Sequence, residues 1–472
     1  MKQQIGGRVH PRSLSRKAVL LVLAILAVAA GAFLLKTTTG LINGWLQSHP
    51  AASPNTPRPQ VKALSVADKY IAAKALDPEA VSHALPAGSS FNASFKNPCW
   101  NSPAIPHLKC LPYFYLMGSF QAGAGTLYQK VAEHPDVITN DKARWQFWAE
   151  DTKPMEGYVQ EHSSGKTLAA VLHDPANKVI MDGSSSTFAF YWSAGLRAHQ
   201  AFQRTMVPCW GECSEASKGN VTLRSQCMDR TCHPKALAAD QEVARGLGVA
   251  YDTLHLPLIM SAVYGSWQPR MVVLLRNPID RLYCAYWLHP HYKSKYGDSA
   301  EGFLAYVKEQ VAALRSCSAR FVGQPGGPAD LPMTPRQAER HCALYFEALG
   351  SHEEQIFFHA DQIIRGMYSI FLEVWLRHFQ RSSMLVLKSE DYFRAPGATV
   401  DKVFAFLGLT KPSDPGVVAS IARVGQPRSF SATAPAMLPE ARQLLQDLYS
   451  PYNMELADLL KDPTWLSYER RP

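Results

Sequence analysis

Residues Pro112–Tyr128 read PYFYLMGSFQAGAGTLY: an apolar run, a glycine-rich turn at Gly118, Gly123 and Gly125, then the opening of a helix that continues as QKVAEHP. A short apolar run bounded by turn residues is the pattern of a buried parallel strand. A strand feeding a helix through such a turn aims backbone N–H groups and the helix's positive end at one point, which suits a phosphate or sulfate. Alone, the turn is a weak signal, because a glycine-relaxed strand-to-helix connection explains it equally well. It is not GxxxxGK[ST]: no lysine follows Gly125, so an ordinary nucleotide-triphosphate loop does not fit.

A second junction lies at Met271–Trp287, MVVLLRNPIDRLYCAYW. Arg276 ends a strand, and Asn277 and Pro278 supply a cap and a first-turn proline. Cys284 follows eight residues later, two helical turns on, and returns to the same side. An arginine beside a small side chain near a helix start grips a phosphate monoester; a structural salt bridge at Arg276 is the alternative. Further strands are expected at Val179–Asp182 and Met384–Lys388, with helices at Leu127–Glu133, Ile363–Phe379 and Val400–Leu407, the last stopped by Gly408. Strands alternating with helices predict a three-layer α/β domain with a mostly parallel central sheet and ligands at the carboxyl ends of its strands.

The 472 residues are 47% hydrophobic, which argues for a folded chain, and the formal net charge of +9 favours anionic partners. No lysine/arginine block forms a stripe, so nucleic acid is not an expected partner. Ala18–Leu35 is an uncharged run of eighteen residues, about 27 Å as a helix. Lys2, Arg8, Arg12, Arg16 and Lys17 precede it without an acid, which keeps residues 1–17 cytosolic and makes 18–35 a transmembrane signal-anchor of type II. A cleaved signal peptide is the alternative. Residues 36–96 then read as a stem, with a short helix at Val66–Leu85, and 97–472 as a lumenal domain. Asn92-Ala93-Ser94 and Asn220-Val221-Thr222 are sequons that fit that side of the membrane. Nine cysteines in an oxidising compartment mostly pair. Cys209, Cys213, Cys227 and Cys232 lack a CxxC spacing, so a disulfide-stapled loop is favoured over zinc. Cys284 is the expected odd thiol. The HPHYK run at His289–Lys293 lacks further ligands, and no metal is expected.

From about Asn97 to Tyr468 the chain resembles the membrane-bound carbohydrate sulfotransferases, in particular the N-acetylgalactosamine 4-sulfate 6-O-sulfotransferase branch. NPCW…CLPYFYLMG, the glycine turn, HPDV at His134–Val137, GSSST at Gly183–Thr187, RNPIDRLYCAY, IIRGMYSIFLEVWLRHF and DLYSPYNMELADLL follow that branch in order and spacing. The resemblance implies a P-loop-like sulfotransferase fold, a Golgi location, the donor 3′-phosphoadenosine 5′-phosphosulfate (PAPS) and a glycan acceptor such as a chondroitin-like or other acidic polysaccharide. A homodimer is allowed for. The resemblance further implies that Gln121, Ala122, Gly123, Ala124, Gly125 and Thr126 form the 5′-phosphosulfate loop, and that Arg276 and Cys284 take the 3′-phosphate. Arg423 and Arg428 suit a loop closing over the phosphates, with solvated charge as the alternative. Cys317 and Cys342 fall where the branch has a cysteine pair.

Three departures stand out. The loop lysine of the family is Gln121 here, its hydroxyl residues are Ala124 and Gly125, and its proposed glutamate base aligns with Arg144, which cannot accept a proton. Asp182, at a strand end, is the leading substitute base, with a structural carboxylate weighed equally; His134 follows. Lys130 or Arg144 is the expected source of the missing charge. A catalytically weak or inactive homologue that binds nucleotide or sulfated glycan is the rival reading.

Overall fold

The computed structural model describes residues 64–82, 90–102, 105–139, 146–149, 154–189, 197–249, 251–324, 332–344, 362–424 and 434–469. The chain divides into units 1–58 and 59–472, and every described residue belongs to the second. The apolar run 18–35 and its cytosolic flank lie outside the described residues. No described helix is long and apolar enough to cross a membrane.

In chain order the elements that frame the site are α1 (Val66–Leu76), β1 (Cys99–Ser102), β2 (Ile105–Cys110), β3 (Phe114–Gly118), α2 (Ala124–Ala132), β4 (Val137–Ile138), α3 (Met155–His162), β5 (Val179–Asp182), α4 (Gln200–Ser217), α5 (Val221–Cys227) and α6 (Leu256–Tyr264). They continue as β6 (Arg270–Leu275), α7 (Pro278–Leu288), α8 (Ala300–Phe321), α9 (Pro335–Leu344), α10 (Tyr368–His378), β7 (Met384–Lys388), α11 (Ser389–Arg394), α12 (Pro396–Leu407) and α13 (Pro439–Leu460).

Five strands make one parallel sheet in the order β4-β5-β3-β6-β7. β3 is central and buried along its whole length, as its apolar run predicts. Its side chains alternate between two cores. Phe114 and Leu116 join Val272 and Leu274 of β6 and Leu127 and Val131 of α2 on one face, under Val403 and Phe404 of α12. Tyr115 and Met117 join Val273 and Leu275 on the other, against α6, α10 and α13. One strand serving two helical layers is the expected three-layer α/β arrangement. The strand order reverses direction about β3, whose neighbours are β5 and β6, so the crevice opens where β3 meets the glycine turn.

The structure departs from the sequence expectations in four places. α1 lies within the expected stem, yet it packs into the main core through Ala72, Ala73 and Leu76. Small alanines let its backbone approach α6, and Ser65 and Asp68 close a reciprocal capping box at its start. Asp77, just beyond, pairs with Arg197 at 3.1 Å with both side chains buried. The folded domain therefore starts before Asn97. The helix expected over Ile363–Phe379 begins only at Tyr368; Gly366 in the preceding turn lies where a Cβ would sit 2.7 Å from the Tyr449 ring. β4, only two residues long, carries too little pattern to read. So does the antiparallel β1/β2 hairpin, clasped by Cys99–Cys110.

The cysteine-rich segment is stapled as expected, but it is helical. Cys209–Cys232 encloses Cys213–Cys227, so all four sulfurs are used in pairs. Cys317–Cys342 ties α8 to α9, and Cys284 is the free thiol.

Buried imidazoles set an acid limit on this fold. Burial pushes His162 down to about 3, His341 to about 4 and His378 to about 3. These folded-state values lie below the unfolded one, so between pH 6.5 and about 4 the unfolded chain binds protons the folded chain refuses, and stability falls with pH. We expect each to remove about 2 kcal/mol at pH 5. Denaturant unfolding across pH 5–7.5 checks this; a flat profile contradicts it, and His162→Gln reduces the slope.

Candidate functional site

The turn after β3 is built from backbone that glycine alone, or nearly so, tolerates. Gly118 has φ +131°, and a Cβ there would lie 2.2 Å from the Ser185 carbonyl oxygen, so the Gly183–Thr187 loop presses directly on it. Gln121 is left-handed at φ 62°. Gly123, at φ +89°, is the cap residue of α2, and a Cβ on it would meet the Phe393 ring at 2.6 Å. Its carbonyl accepts the Thr126 and Leu127 N–H groups, leaving the Ala124 and Gly125 N–H groups at the head of the helix.

The carbonyls of the turn are held from outside. Ser389 Oγ at the start of α11 donates to the Ala122 oxygen at 2.7 Å, and Arg276 Nη1 donates to the Gln121 oxygen at 3.3 Å. Ser119 N–H reaches Leu274 O in β6 at 2.6 Å. With carbonyls committed to protein donors, the concave side of the turn is left to N–H groups and the helix dipole.

The second junction meets it as the sequence spacing implied. The Asn277 side chain accepts the Ile279 and Asp280 N–H groups, which starts α7 immediately after Arg276. Asn277 N–H donates to Glu390 Oε1 at 2.8 Å, Tyr468 OH donates to Glu390 Oε2 at 3.1 Å, and Tyr368 OH donates to the Arg276 carbonyl at 2.8 Å. Two turns into α7, buried Cys284 brings Sγ to 3.7 Å from Gln121 Oε1. Gln121, Arg276 and Cys284, distant in sequence, are thus one cluster.

Sequence reasoning missed Phe120 and Arg365. The Phe120 ring stacks on His289 at 5.6 Å, and the Arg365 guanidinium lies 5.0 Å from the Phe120 centroid. Burial pushes Arg365 down to about 9. The signal was an arginine followed by glycine inside the apolar IIRGMY run, where a charge is costly without a role. Ser389 and Phe393 were missed too, because nothing local marks a residue that braces a loop 267 residues away.

Other expected residues sit elsewhere. Asp182 is at the carboxyl edge of β5, but it is only 2% exposed: Oδ2 accepts from Tyr158 OH at 2.6 Å and Oδ1 from the Ser184 N–H at 2.8 Å. Tyr158 is linked to Tyr115, and Tyr115 to Tyr264, whose hydroxyl donates to Pro112 O. Burial first, and the Asp182 charge second, push the Tyr158 hydroxyl well above 10, so it stays a donor. This is the environment of a carboxylate that holds a loop and a tyrosine cluster.

His134 is displaced from the chemistry. It follows α2, whose nine residues put its end about 13 Å from the glycine turn. Its Nδ1 accepts the Asp136 N–H and its Nε2 lies 2.6 Å from Thr410 O, so an imidazole packed on Phe404 links the amino-terminal edge of the sheet to the end of α12. These contacts give His134 a structural part at the far end of α2. Lys130, in the last turn of α2, pairs with Glu133 at 2.8 Å and Ser420 at 3.1 Å, again away from the turn. Arg144 and Arg428 lie outside the described residues, and Arg423 is exposed at a helix end.

Comparison with known proteins shows what the chain is similar to. Residues 253–423, which take in β6, Arg276, Cys284 and β7, match the family model described as "Sulfotransferase domain". The chain is 25% identical over 390 residues to human "Carbohydrate sulfotransferase 15", covering 79% of this chain and 58% of that protein. The Rattus norvegicus protein of that name is 25% identical over 366 residues, 75% of this chain and 54% of the relative. Human "Bifunctional heparan sulfate N-deacetylase/N-sulfotransferase 2" is 22% identical over 219 residues, 42% and 20% of the two chains. The chain thus spans a little over half the length of the first two. Among solved structures, a sulfotransferase from Alicyclobacillus acidocaldarius aligns at TM-score 0.35 and 15% identity over 75% of this chain and 98% of its own, too distant to bear on the site. The chain is similar to the carbohydrate sulfotransferases over about three quarters of its length, as its motifs led us to expect.

The turn itself is testable. Gly123→Ala combines a positive φ with a collision at Phe393, and we expect it to cost about 1–3 kcal/mol of stability. Adding Phe393→Ala removes only the steric part. Thermal unfolding of the single and double variants checks this; a Gly123→Ala protein as stable as the parent would contradict the assigned turn.

Proposed function

We propose that this protein transfers a sulfuryl group from PAPS to a hydroxyl of an acidic glycan. The observation that carries the reading is the convergence of Gln121, Arg276 and Cys284 at a helix start, on a chain whose relatives bear that name. The donor fits the backbone that is present: the Ala124 and Gly125 N–H groups suit the 5′-phosphosulfate, and Arg276 with Cys284 suits the 3′-phosphate. Arg428 is proposed to close over the phosphates. In the reaction the sugar oxygen attacks sulfur, the sulfur–oxygen bond to the phosphate breaks, and the hydroxyl proton passes to a base, leaving adenosine 3′,5′-bisphosphate. A Golgi site with a type II anchor at 18–35 belongs to the same proposal.

The turn lacks the cation that would neutralise the leaving phosphate. Gln121 donates a neutral hydrogen bond, which loses on the order of a hundredfold in rate against a charged donor. Arg276 and Arg365 are described cations in contact with the turn, and the reading assigns the missing charge to them. The same departure favours the second reading, a weak or inactive homologue that binds nucleotide or sulfated glycan.

Binding, transfer and substitution experiments test these readings. Incubation of the full chain with radiolabelled PAPS and a panel of glycans is expected to label an acidic acceptor. Nucleotide binding in calorimetry without transfer supports the binding protein; absence of transfer together with absence of binding to nucleotide and to sulfated glycan overturns both readings. Arg276→Ala should weaken adenosine 3′,5′-bisphosphate binding about 10- to 100-fold, the worth of one charge-assisted contact. Gln121→Lys should leave kcat nearly unchanged where Arg276 and Arg365 already supply the charge; a gain of about tenfold or more indicates a site that has lost it. For Asp182→Asn we expect a loss of about 1–3 kcal/mol in stability with the acid limb of the kcat profile kept. Disappearance of that limb in a folded variant makes Asp182 the base.

A further inference from the structure

The stapled segment carries an apolar patch that the fold does not cover. Val207 and Trp210 on α4 are 61% and 45% exposed, and Val221 and Leu223 on α5 are 46% and 53% exposed. The two helices are held together by Cys213–Cys227, and Arg224 of α5 lies 6.0 Å from the Trp210 ring, so these side chains share one surface. Apolar side chains clustered on a charged protein's surface call for an occupant.

The occupant is indicated by the residue that starts α5. Asn220 is exposed, and its Oδ1 accepts the Leu223 N–H at 3.1 Å as the helix cap. With the oxygen engaged by the helix, Nδ2 is the amide atom of this exposed side chain left for attachment, and exposed Thr222 completes the sequon two residues on. The other sequon has the same arrangement by a different route: exposed Asn92 accepts the Ser94 N–H at 3.0 Å in an Asx turn. Four disulfides place the folding chain in an oxidising compartment, independently of the apolar run at 18–35. Asn92 lies by the amino-terminal edge of the sheet, where neighbouring Asn97 bonds the Lys178 carbonyl and the Ile180 N–H of β5. A bulky group there leaves the glycine turn clear.

We infer that Asn220 carries an N-linked oligosaccharide that covers Trp210 and its apolar neighbours, with Asn92 as a second acceptor. The step joins Nδ2 to the anomeric carbon of a lipid-pyrophosphate-linked oligosaccharide. The carbon–oxygen bond to pyrophosphate breaks, the lipid pyrophosphate leaves, and the amide proton goes to a base of the transferring enzyme. A sugar lying over the patch packs its C–H faces on the indole, as aromatic rings favour.

The test uses the full chain secreted or retained by cultured animal cells. Digestion with an N-glycosidase should lower the apparent mass of the parent by two steps and of Thr222→Ala and Ser94→Ala by one step each. Thr222→Ala leaves the Asn220 cap in place, so loss of the step is not loss of the helix, and Thr222→Ser should restore it. A parent at bare polypeptide mass, or Thr222→Ala shifting by two steps, overturns the assignment. By gel filtration Thr222→Ala should run as larger assemblies while Ser94→Ala does not; identical elution of the two overturns the covering role.

Discussion

The backbone of Gly118 lies against the carbonyl of Ser185, closer than any side chain would permit. This contact joins the end of β3 to the loop after β5, and the rest of the site is arranged around it. Because the chain cannot continue straight there, it turns through Ser119 and left-handed Gln121 into Gly123, and α2 begins with its N–H groups facing the crevice. Gly123 meets the same limit from the other side, where the Phe393 ring fills the space of a Cβ. The turn is clamped between β5's loop and α11.

That clamp explains how a turn with glutamine at position 121 keeps its shape. A loop that depends on one side chain for anion binding fails when that side chain goes. Here the shape comes from glycines and from donors to carbonyls, Ser389 to Ala122 and Arg276 to Gln121, none of which needs residue 121 to be charged. The backbone shape that aims N–H groups at the crevice is therefore independent of charge at residue 121. Geometry and charge are separable properties of such a loop.

The tyrosines behind the sheet show a second division of labour. Asp182 stands where a base would be useful, yet its oxygens are taken by Tyr158 and the Ser184 N–H, and the chain of hydroxyls runs through Tyr115 and Tyr264 to Pro112, just before β3. A buried carboxylate left without such donors would be costly, so the network and the carboxylate stabilise each other. It also ties the loop that presses on Gly118 to the strand that carries Gly118.

Much of this was legible in the residues themselves. Unbroken apolar runs marked β3, β5, β6 and β7 to within a residue, because strands buried on both faces leave no alternation to misread. The pairing of Arg276 with Cys284 followed from helical spacing, and the free thiol and the stapled segment from cysteine number. What local pattern could not hold was contact across the fold. The position of α1 in the core, the bracing by Ser389 and Phe393, the approach of Arg365 to Phe120 and the removal of His134 to the far end of α2 each depend on which surfaces the sheet order brings together. Sequence determined the strands, the turn and the chemistry on offer; tertiary structure decided which of those groups meet, because side-chain contact is set by packing between elements hundreds of residues apart rather than by the periodicity within any one of them.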